Sequence, residues 1–583
     1  MISFPQVLFP MRSLLILLAA TTASAQFVSS VAIPKGPNPP VVFLNGYQAD
    51  CRGSSFPGTF GAYDRVLQTQ NRVTLFFDNC AFTTGTKPSI EELGNTFALY
   101  LGSLRYTDNT PVPVVDIIAH SMGGLIVRSY LEGKQLDGTY TPPLTPPVRK
   151  IIFLATPHFG TPISLGFSFD KQLEELAEGS IFLFDLNTWN QGTDDLRGLD
   201  VLAIAGEAGT ATPGLPAFDD GIVPLSSASL GFARPEDRTR ILPVCHTGPG
   251  VITAAGLCPA GTPGIAAVNG IGDIPARIVV SFLGDGPEYK QLGKPTSEDT
   301  YLFNTGGVYL RAKSASGQDL PITKATASGG PLKISAAGVA YSEYFPFPTE
   351  LFTLTAGAKD LTQTVRLNTG TFTTRILKDG PQIARVLPSA ANITPLAVGA
   401  NSYISIYGTG LDRAQVTTGT IALTVLATSP NQVNAVLVSD PAKLVIPITV
   451  TTPNGSDTIN VFTPPNVPAL FTQNATGAGP ASALNAVSNV LITPNAPIHA
   501  GEYVSLYLTG LTFPPLVAGP GPNVSVTVSG RACPIQFAGV APGYTALDQI
   551  NCQVPGGISS TVAPVVVTVD GRTSNTVTLA VLQ

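Results

Sequence analysis

A serine set between an apolar strand and an apolar helix constrains this chain more than any other feature. Ala119-His120-Ser121-Met122-Gly123-Gly124 follow Val114-Val115-Asp116-Ile117-Ile118 and precede Leu125-Ile126-Val127-Arg128-Ser129-Tyr130-Leu131. A turn that passes directly from a buried strand into a helix is sharp and strained. Positions two before and two after the serine therefore tolerate almost no side chain, a demand that Ala119 and Gly123 meet. The spacing lifts the Ser121 hydroxyl onto the tip of a sheet. It also sets Met122 in the first helical turn, where an unpaired backbone N–H and the positive end of the helix dipole can face a developing oxyanion. An ordinary strand-to-helix loop with a solvent-facing serine gives the same short string, so the reading depends on partners elsewhere in the chain.

At 583 residues the chain is several times the usual domain size, and three or four cores are expected. Residues 1–25 read as a signal peptide: Arg12, then Leu14-Leu15-Ile16-Leu17-Leu18-Ala19-Ala20, then the small-x-small site Ala23-Ser24-Ala25. The mature chain then begins near Gln26 and is secreted, extracellular or associated with the cell surface. No window reaches the roughly 18 uninterrupted apolar residues of a membrane helix, so no transmembrane segment is expected. Six cysteines agree with export and fall in three local couples, Cys51 and Cys80, Cys245 and Cys258, Cys533 and Cys552. Six thiols allow about 15 connectivities, so neighbour pairing is one hypothesis among them, and buried reduced thiols are the alternative. No couple has metal-ligand spacing with histidine, and neither metal nor cofactor is expected. A net charge of −6 with only 12% charged residues leaves no basic face for nucleic acid, which points to neutral or apolar partners.

From about residue 38 to 285 apolar strands alternate with helical patterns, which predicts an α/β layer with a mainly parallel sheet. Strands are expected at Val41 to Leu44, Val73 to Phe77, Val114 to Ala119, Ile151 to Ala155, Val201 to Ala205 and Arg240 to Val244. Helices are expected from Pro88-Ser89-Ile90-Glu91-Glu92-Leu93, over Gly123 to Leu131, and as one amphipathic element over Lys171 to Leu186. Beyond about 290 the composition turns to Pro, Gly, Thr and Val in short alternating runs, which predicts β-sandwiches. Tyr403 to Leu411 aligns with Tyr503 to Leu511, a period near 100 residues, and Asn454-Gly455 and Asp570-Gly571 are hairpin turn signals. Residues 401–583 hold only ten charged side chains, so Ser, Thr and Asn must cover their surface. The division expected is 38–285 for the α/β domain, 290–385 for a sandwich-like domain, and 386–465 and 466–583 for two further sandwiches.

A serine hydroxyl needs a nearby base held by a third group. Of four histidines, His120 lies inside the turn, His499 lies in the last sandwich, and His158 suits a structural role. His246, just after the last expected strand, is left as the base. The acid belongs between serine and base, in Phe218-Asp219-Asp220-Gly221-Ile222-Val223-Pro224. Asp220 is the choice and Asp219 the alternative. A second oxyanion donor is expected from the amide of Tyr47, with Gly46 allowing close backbone approach; a simple turn glycine is the bland reading of Gly46.

With these residues quoted, residues 38–285 resemble the α/β-hydrolase lipases and esterases, particularly bacterial triacylglycerol lipases with the Ala-His-Ser-Met-Gly-Gly turn, and somewhat the inositol-deacylase relatives. Thr156-Pro157-His158-Phe159-Gly160-Thr161 and Asp220-Gly221-Ile222-Val223-Pro224 are similar to segments of those families, and the resemblance implies the acid role for Asp220. The chain departs from the pattern at Asn45-Gly46, where His-Gly is common, and at Thr247-Gly248-Pro249-Gly250 after His246. The repeats from about 385 resemble immunoglobulin-like modules of the TIG type, which implies surface or polymer contact. The expected activity is hydrolysis of apolar carboxylic esters through an acyl-enzyme. Amidase, thioesterase or phospholipase chemistry on the same residues is the alternative, as is a non-catalytic surface-binding protein. Phe159, Ile163, Leu165, Phe167, Phe169, Ile181, Phe182, Leu183, Phe184 and Trp189 are expected either to line the acyl site or to form core.

Overall fold

The computed structural model describes residues 33–49, 51, 54–82, 86–162, 170–210, 218–233, 238–248, 257–296, 306–346, 348–513 and 521–583. The expected signal peptide and Ile163, Leu165, Phe167 and Phe169 lie outside them. Six strands, β1 (Val41–Leu44), β2 (Thr74–Phe77), β3 (Val115–His120), β4 (Val148–Leu154), β5 (Asp200–Gly206) and β6 (Thr239–Leu242), form one parallel sheet in the order 2-1-3-4-5-6. All six expected strands are present, with ends shifted by up to three residues. Their β-branched and aromatic runs are buried because a parallel sheet is covered on both faces. On one face pack α3 (Ile90–Ser103) and α4 (Met122–Glu132), through Leu93, Phe97 and Ile126. On the other pack α2 (Tyr63–Gln68), preceded by α1 (Phe56–Phe60), and α8 (Ile274–Leu283), through Tyr63, Leu67, Ile278 and Phe282.

The order reverses at β1: β2 lies to one side and β3 to the other. At such a switch point the connections leave the strand ends in opposite directions, opening a crevice beyond their carboxyl ends. The loop after β1 and the turn after β3 both enter it.

The helix expected over Lys171 to Leu186 is two short helices, α5 (Lys171–Leu176) and α6 (Ile181–Leu186). Gly179 adopts a left-handed φ of 74°, and Ser180 caps the second helix by accepting from Leu183 N at 3.2 Å. Gly-Ser is a stop followed by a start, a local signal that outweighs the continuous amphipathic pattern. A last short helix, α7 (Leu225–Ala228), follows the acidic turn.

α5 is tied to the start of α3 by Glu175, whose Oε2 accepts Ile90 N at 2.7 Å. Burial, and then the charge of Glu91, push the Glu175 carboxyl up to about 8 from its ordinary 4.5. The folded chain therefore holds a proton that the unfolded chain releases, and this contribution to stability is full below pH 4.5 and is lost as pH rises through 8. Glu175→Gln should shrink the fall in thermal midpoint between pH 5 and pH 9 relative to the parent; an unchanged fall would refute the assignment.

From residue 306 onward the regular elements among the described residues are all strands, in predominantly antiparallel sheets of four to seven strands. The repeat seen in the sequence corresponds to Asn401–Thr409 and Tyr503–Thr509, each paired antiparallel with an inner partner, Gln432–Val438 and Asp548–Gln553. Asp570 and Gly571, with φ of 47° and 80°, form the tight turn that their sequence signals. Separate apolar cores lie in 308–377, 383–461 and 470–581.

The β region is packed onto the α/β domain. Phe159 and Phe184 join Tyr309, Tyr341 and Phe372 in one buried aromatic cluster, with the Tyr309 hydroxyl donating to the Phe159 carbonyl. Trp189 packs on Phe462 with ring centroids 5.8 Å apart, and Asn190 bonds Leu396 O and Phe462 N. These aromatics are therefore core and interface. Phe182 and Leu183 belong to the main core.

Candidate active site

Ser121 occupies φ 54°, ψ −130°, a conformation that costs about 1–3 kcal/mol and persists only where surroundings enforce it. They do so here. Its N–H donates to Leu154 O of β4 at 2.9 Å, and a Cβ at Gly123 would stand 2.7 Å from Leu44 O and Asn45 O. The β1 loop approaches as closely from above: a Cβ at Gly46 would meet Ser121 Cβ at 2.7 Å. The glycine there is a requirement of contact with the serine, beyond what a turn would need.

Across the crevice, Ser121 Oγ lies 2.9 Å from His246 Nε2, and His246 Nδ1 lies 2.7 Å from Asp220 Oδ2. All three side chains are buried. Asp220 Oδ1 accepts Ile222 N at 3.0 Å and Val223 N at 2.7 Å, which turns its second oxygen to the imidazole. His246 N donates to Asp220 O at 2.8 Å, so backbone as well as side chains join the two residues. Asp219 points elsewhere. Its Oδ1 accepts Gly221 N at 2.6 Å, and burial pushes its carboxyl up to about 6.

The other histidines lie outside this chain of bonds. Burial, then the nearby His246, pull His120 down to about 3, so the ring is neutral; its Nε2 donates to His246 O at 3.0 Å. That bond props the loop carrying His246. His158 is buried between Phe153 and Phe232, away from Ser121, and burial holds it well below the usual histidine value. His499 is exposed and lies 3.5 Å from Glu502.

Met122 opens α4, and Tyr47 follows Gly46 at the end of β1; neither backbone N–H has a hydrogen-bond partner among the described residues. Sequence reasoning did not reach what holds the β1 loop. Asn45, which stands where His-Gly is common, donates to Ser54 Oγ and Asp78 Oδ1 at 3.1 Å each and accepts Asn79 N at 3.1 Å. Asn79 Nδ2 in turn donates to Gly46 O at 2.8 Å. Asp78-Asn79 directly follow β2, the strand beside β1, and that adjacency was the available signal. The Tyr47 hydroxyl donates to Asp170 Oδ2 at 2.8 Å, Lys87 Nζ meets the same oxygen at 2.8 Å, and Lys87 lies 4.0 Å over the Tyr47 ring. Asp170 also caps α5. One carboxylate thus joins the β1 loop to the helix that walls the pocket.

The pocket around Ser121 has a volume of about 560 Å³. Its apolar walls are Pro157, Leu173, Leu176, Ile222, Val223 and Ala266. Among the described residues, none of the aromatics expected as lining reaches it. The cysteines pair as neighbours, Cys51–Cys80, Cys245–Cys258 and Cys533–Cys552, with Cα separations of 5.3, 6.3 and 5.5 Å. The first braces the β1 loop and the second the loop of His246.

Residues 95–212 match the family model of the PGAP1-like alpha/beta domain. No curated protein matches the chain. Among solved structures it is similar to phospholipase PlaB from Legionella pneumophila in complex with thio-NAD, at 13% identity and TM-score 0.43, over 58% of this chain and 93% of that one. It is similar also to lipase BlEst2 of Bacillus licheniformis in its mature form, at 18% identity and TM-score 0.26, over 37% of this chain and 88% of that one. The match to the PGAP1-like alpha/beta domain thus falls within the parallel α/β sheet, which an all-β region follows.

Proposed function

We propose that this chain is a secreted serine hydrolase that cleaves carboxylic esters with apolar acyl groups. The observation that carries the reading is the unbroken hydrogen-bonded chain from Ser121 through His246 to Asp220 at the mouth of an apolar pocket. Ser121 Oγ attacks the ester carbonyl while His246 Nε2 takes its proton; Asp220 holds the Nδ1–H tautomer and stabilises the imidazolium without itself taking a proton. The amides of Tyr47 and Met122 receive the oxyanion. His246 returns the proton to the leaving alcohol, and water, deprotonated by the same imidazole, releases the acid. Three disulfides support export, since such bonds persist in oxidising compartments. Among the described residues no helix is long and apolar enough to cross a membrane. The separate apolar cores support a division into the α/β domain at 38–285 and β domains at 290–385, 386–465 and 466–583.

A fluorophosphonate probe tests this directly. The full chain should take up one adduct, located by peptide mass at Ser121, and lose hydrolysis of nitrophenyl esters in proportion. Labelling elsewhere, or none, together with absent hydrolysis, would favour a binding protein with a silent hydrolase fold.

Two further outcomes follow from the braces. Asn45→Ala frees the β1 loop and should lower kcat about 10²-fold with KM little changed, the effect of a donor displaced by an ångström or so. The double variant Cys245→Ala, Cys258→Ala should lose activity at temperatures where far-ultraviolet circular dichroism still shows a folded chain; activity equal to the parent would refute that role.

A further inference from the structure

A second and larger cavity, about 1020 Å³, opens where the α/β domain and the first two β units meet, and shares no lining residue with the Ser121 pocket. Its charge is opposite to that of the chain. Five cationic side chains line it, Arg311, Lys313, Arg375, Lys378 and Arg385, against two anionic ones, Asp185 and Asp457. Two of the cations are engaged: Arg311 pairs with Asp319 at 2.9 Å, and Lys378 with Asp457 at 2.7 Å. Asp185 is held by Lys134 at 3.1 Å. Arg375, Lys313 and Arg385 have no carboxylate partner among the described residues. Arg375 bonds only the carbonyl of Thr374, at 2.7 Å, although its side chain is open to the cleft. Unpaired cations gathered in a concave, partly desolvated wall focus a positive potential on whatever enters.

The uncharged lining limits what that anion can be. Asn368, Asn431 and Asn460 bring side-chain amides to the cleft that make no hydrogen bond among the described residues. An amide both donates and accepts, which suits the vicinal hydroxyls of a pyranose ring. Tyr407, 39% exposed at the same wall, supplies a flat apolar ring. We propose that this cleft binds an anionic polysaccharide segment, its carboxylate or sulfate groups held by Arg375, Lys313 and Arg385 and its hydroxyls by the three amides, so that the hydrolase is retained on a polymer surface.

Titration calorimetry on the full chain, with oligogalacturonate and with a sulfated oligosaccharide as separate arms, tests the proposal. Binding of either supports it and identifies the anionic group. Arg375→Ala with Arg385→Ala should then weaken binding about tenfold or more, as expected for lost charge-assisted bonds, and raised salt should weaken it further. Nitrophenyl-ester hydrolysis should stay at the parental rate. Asn431→Ala, which leaves every cation in place, should weaken binding of the sugar without altering its salt dependence. Equal binding of neutral xylo-oligosaccharides would overturn the proposal. So would tighter binding of polyglutamate, of single-stranded oligonucleotide or of anionic lipid vesicles, as would no binding in either sugar arm.

Discussion

If the proposed function holds, Ser121→Ala should lower kcat on a nitrophenyl ester by about 10⁶-fold, as removal of the nucleophile does in enzymes that use a serine, histidine and acid. KM and the thermal midpoint should stay near parental values. Alanine keeps the Cβ that packs on Gly46, and it inherits the same backbone strain. Only the oxygen bonded to His246 is removed. Residual hydrolysis would come from the oxyanion amides and the pocket acting on water. Retention of more than a tenth of the activity would mean that the esterase chemistry is elsewhere.

Asp220→Asn should cost about 10⁴-fold in kcat, the effect of holding the imidazole in the wrong tautomer. The replacement keeps an oxygen for Ile222 N and Val223 N, so the turn survives. It sets an NH₂ against His246 Nδ1, which must then accept, leaving Nε2 protonated and unable to take the serine proton. Asp219→Asn is the matched control. Asp219 bonds Gly221 N and not the imidazole, so its loss should change kcat several-fold at most. Equal effects of the two substitutions would refute the assignment of the acid.

The α/β sheet was legible because its strands are short, apolar and separated by periodic helices, and the errors were confined to ends. Ser121, Asp220 and His246, which the structure brings together, could be chosen because chain order in this fold is restrictive and only four histidines compete. The Lys171 to Leu186 segment misled because amphipathic periodicity continues through Gly179-Ser180, and only local turn chemistry interrupts it. The aromatics between Phe159 and Trp189 left lining and core both open for a different reason: a pattern of apolar residues states that a face is buried without stating against what. Here the covering surface lies more than 120 residues downstream, in Tyr309, Phe372 and Phe462. The network of Asn45, Asp78 and Asn79, and the meeting of Tyr47, Lys87 and Asp170, were invisible for the same reason, since side chains distant in sequence converge only once the sheet order is known.

The aromatic seam bears on how such a chain can be cut or recombined. Severing it near residue 290 would leave Phe159, Phe184 and Trp189 facing water as a sticky patch, so a truncated chain should clump in the test tube before any activity could be judged. The β modules nearest the seam are accordingly a fixed wall of the α/β domain, and exchange of modules during evolution would be easiest at the far end, where the last β unit reaches that domain through the bond from Arg572 to Leu144 O at 3.1 Å.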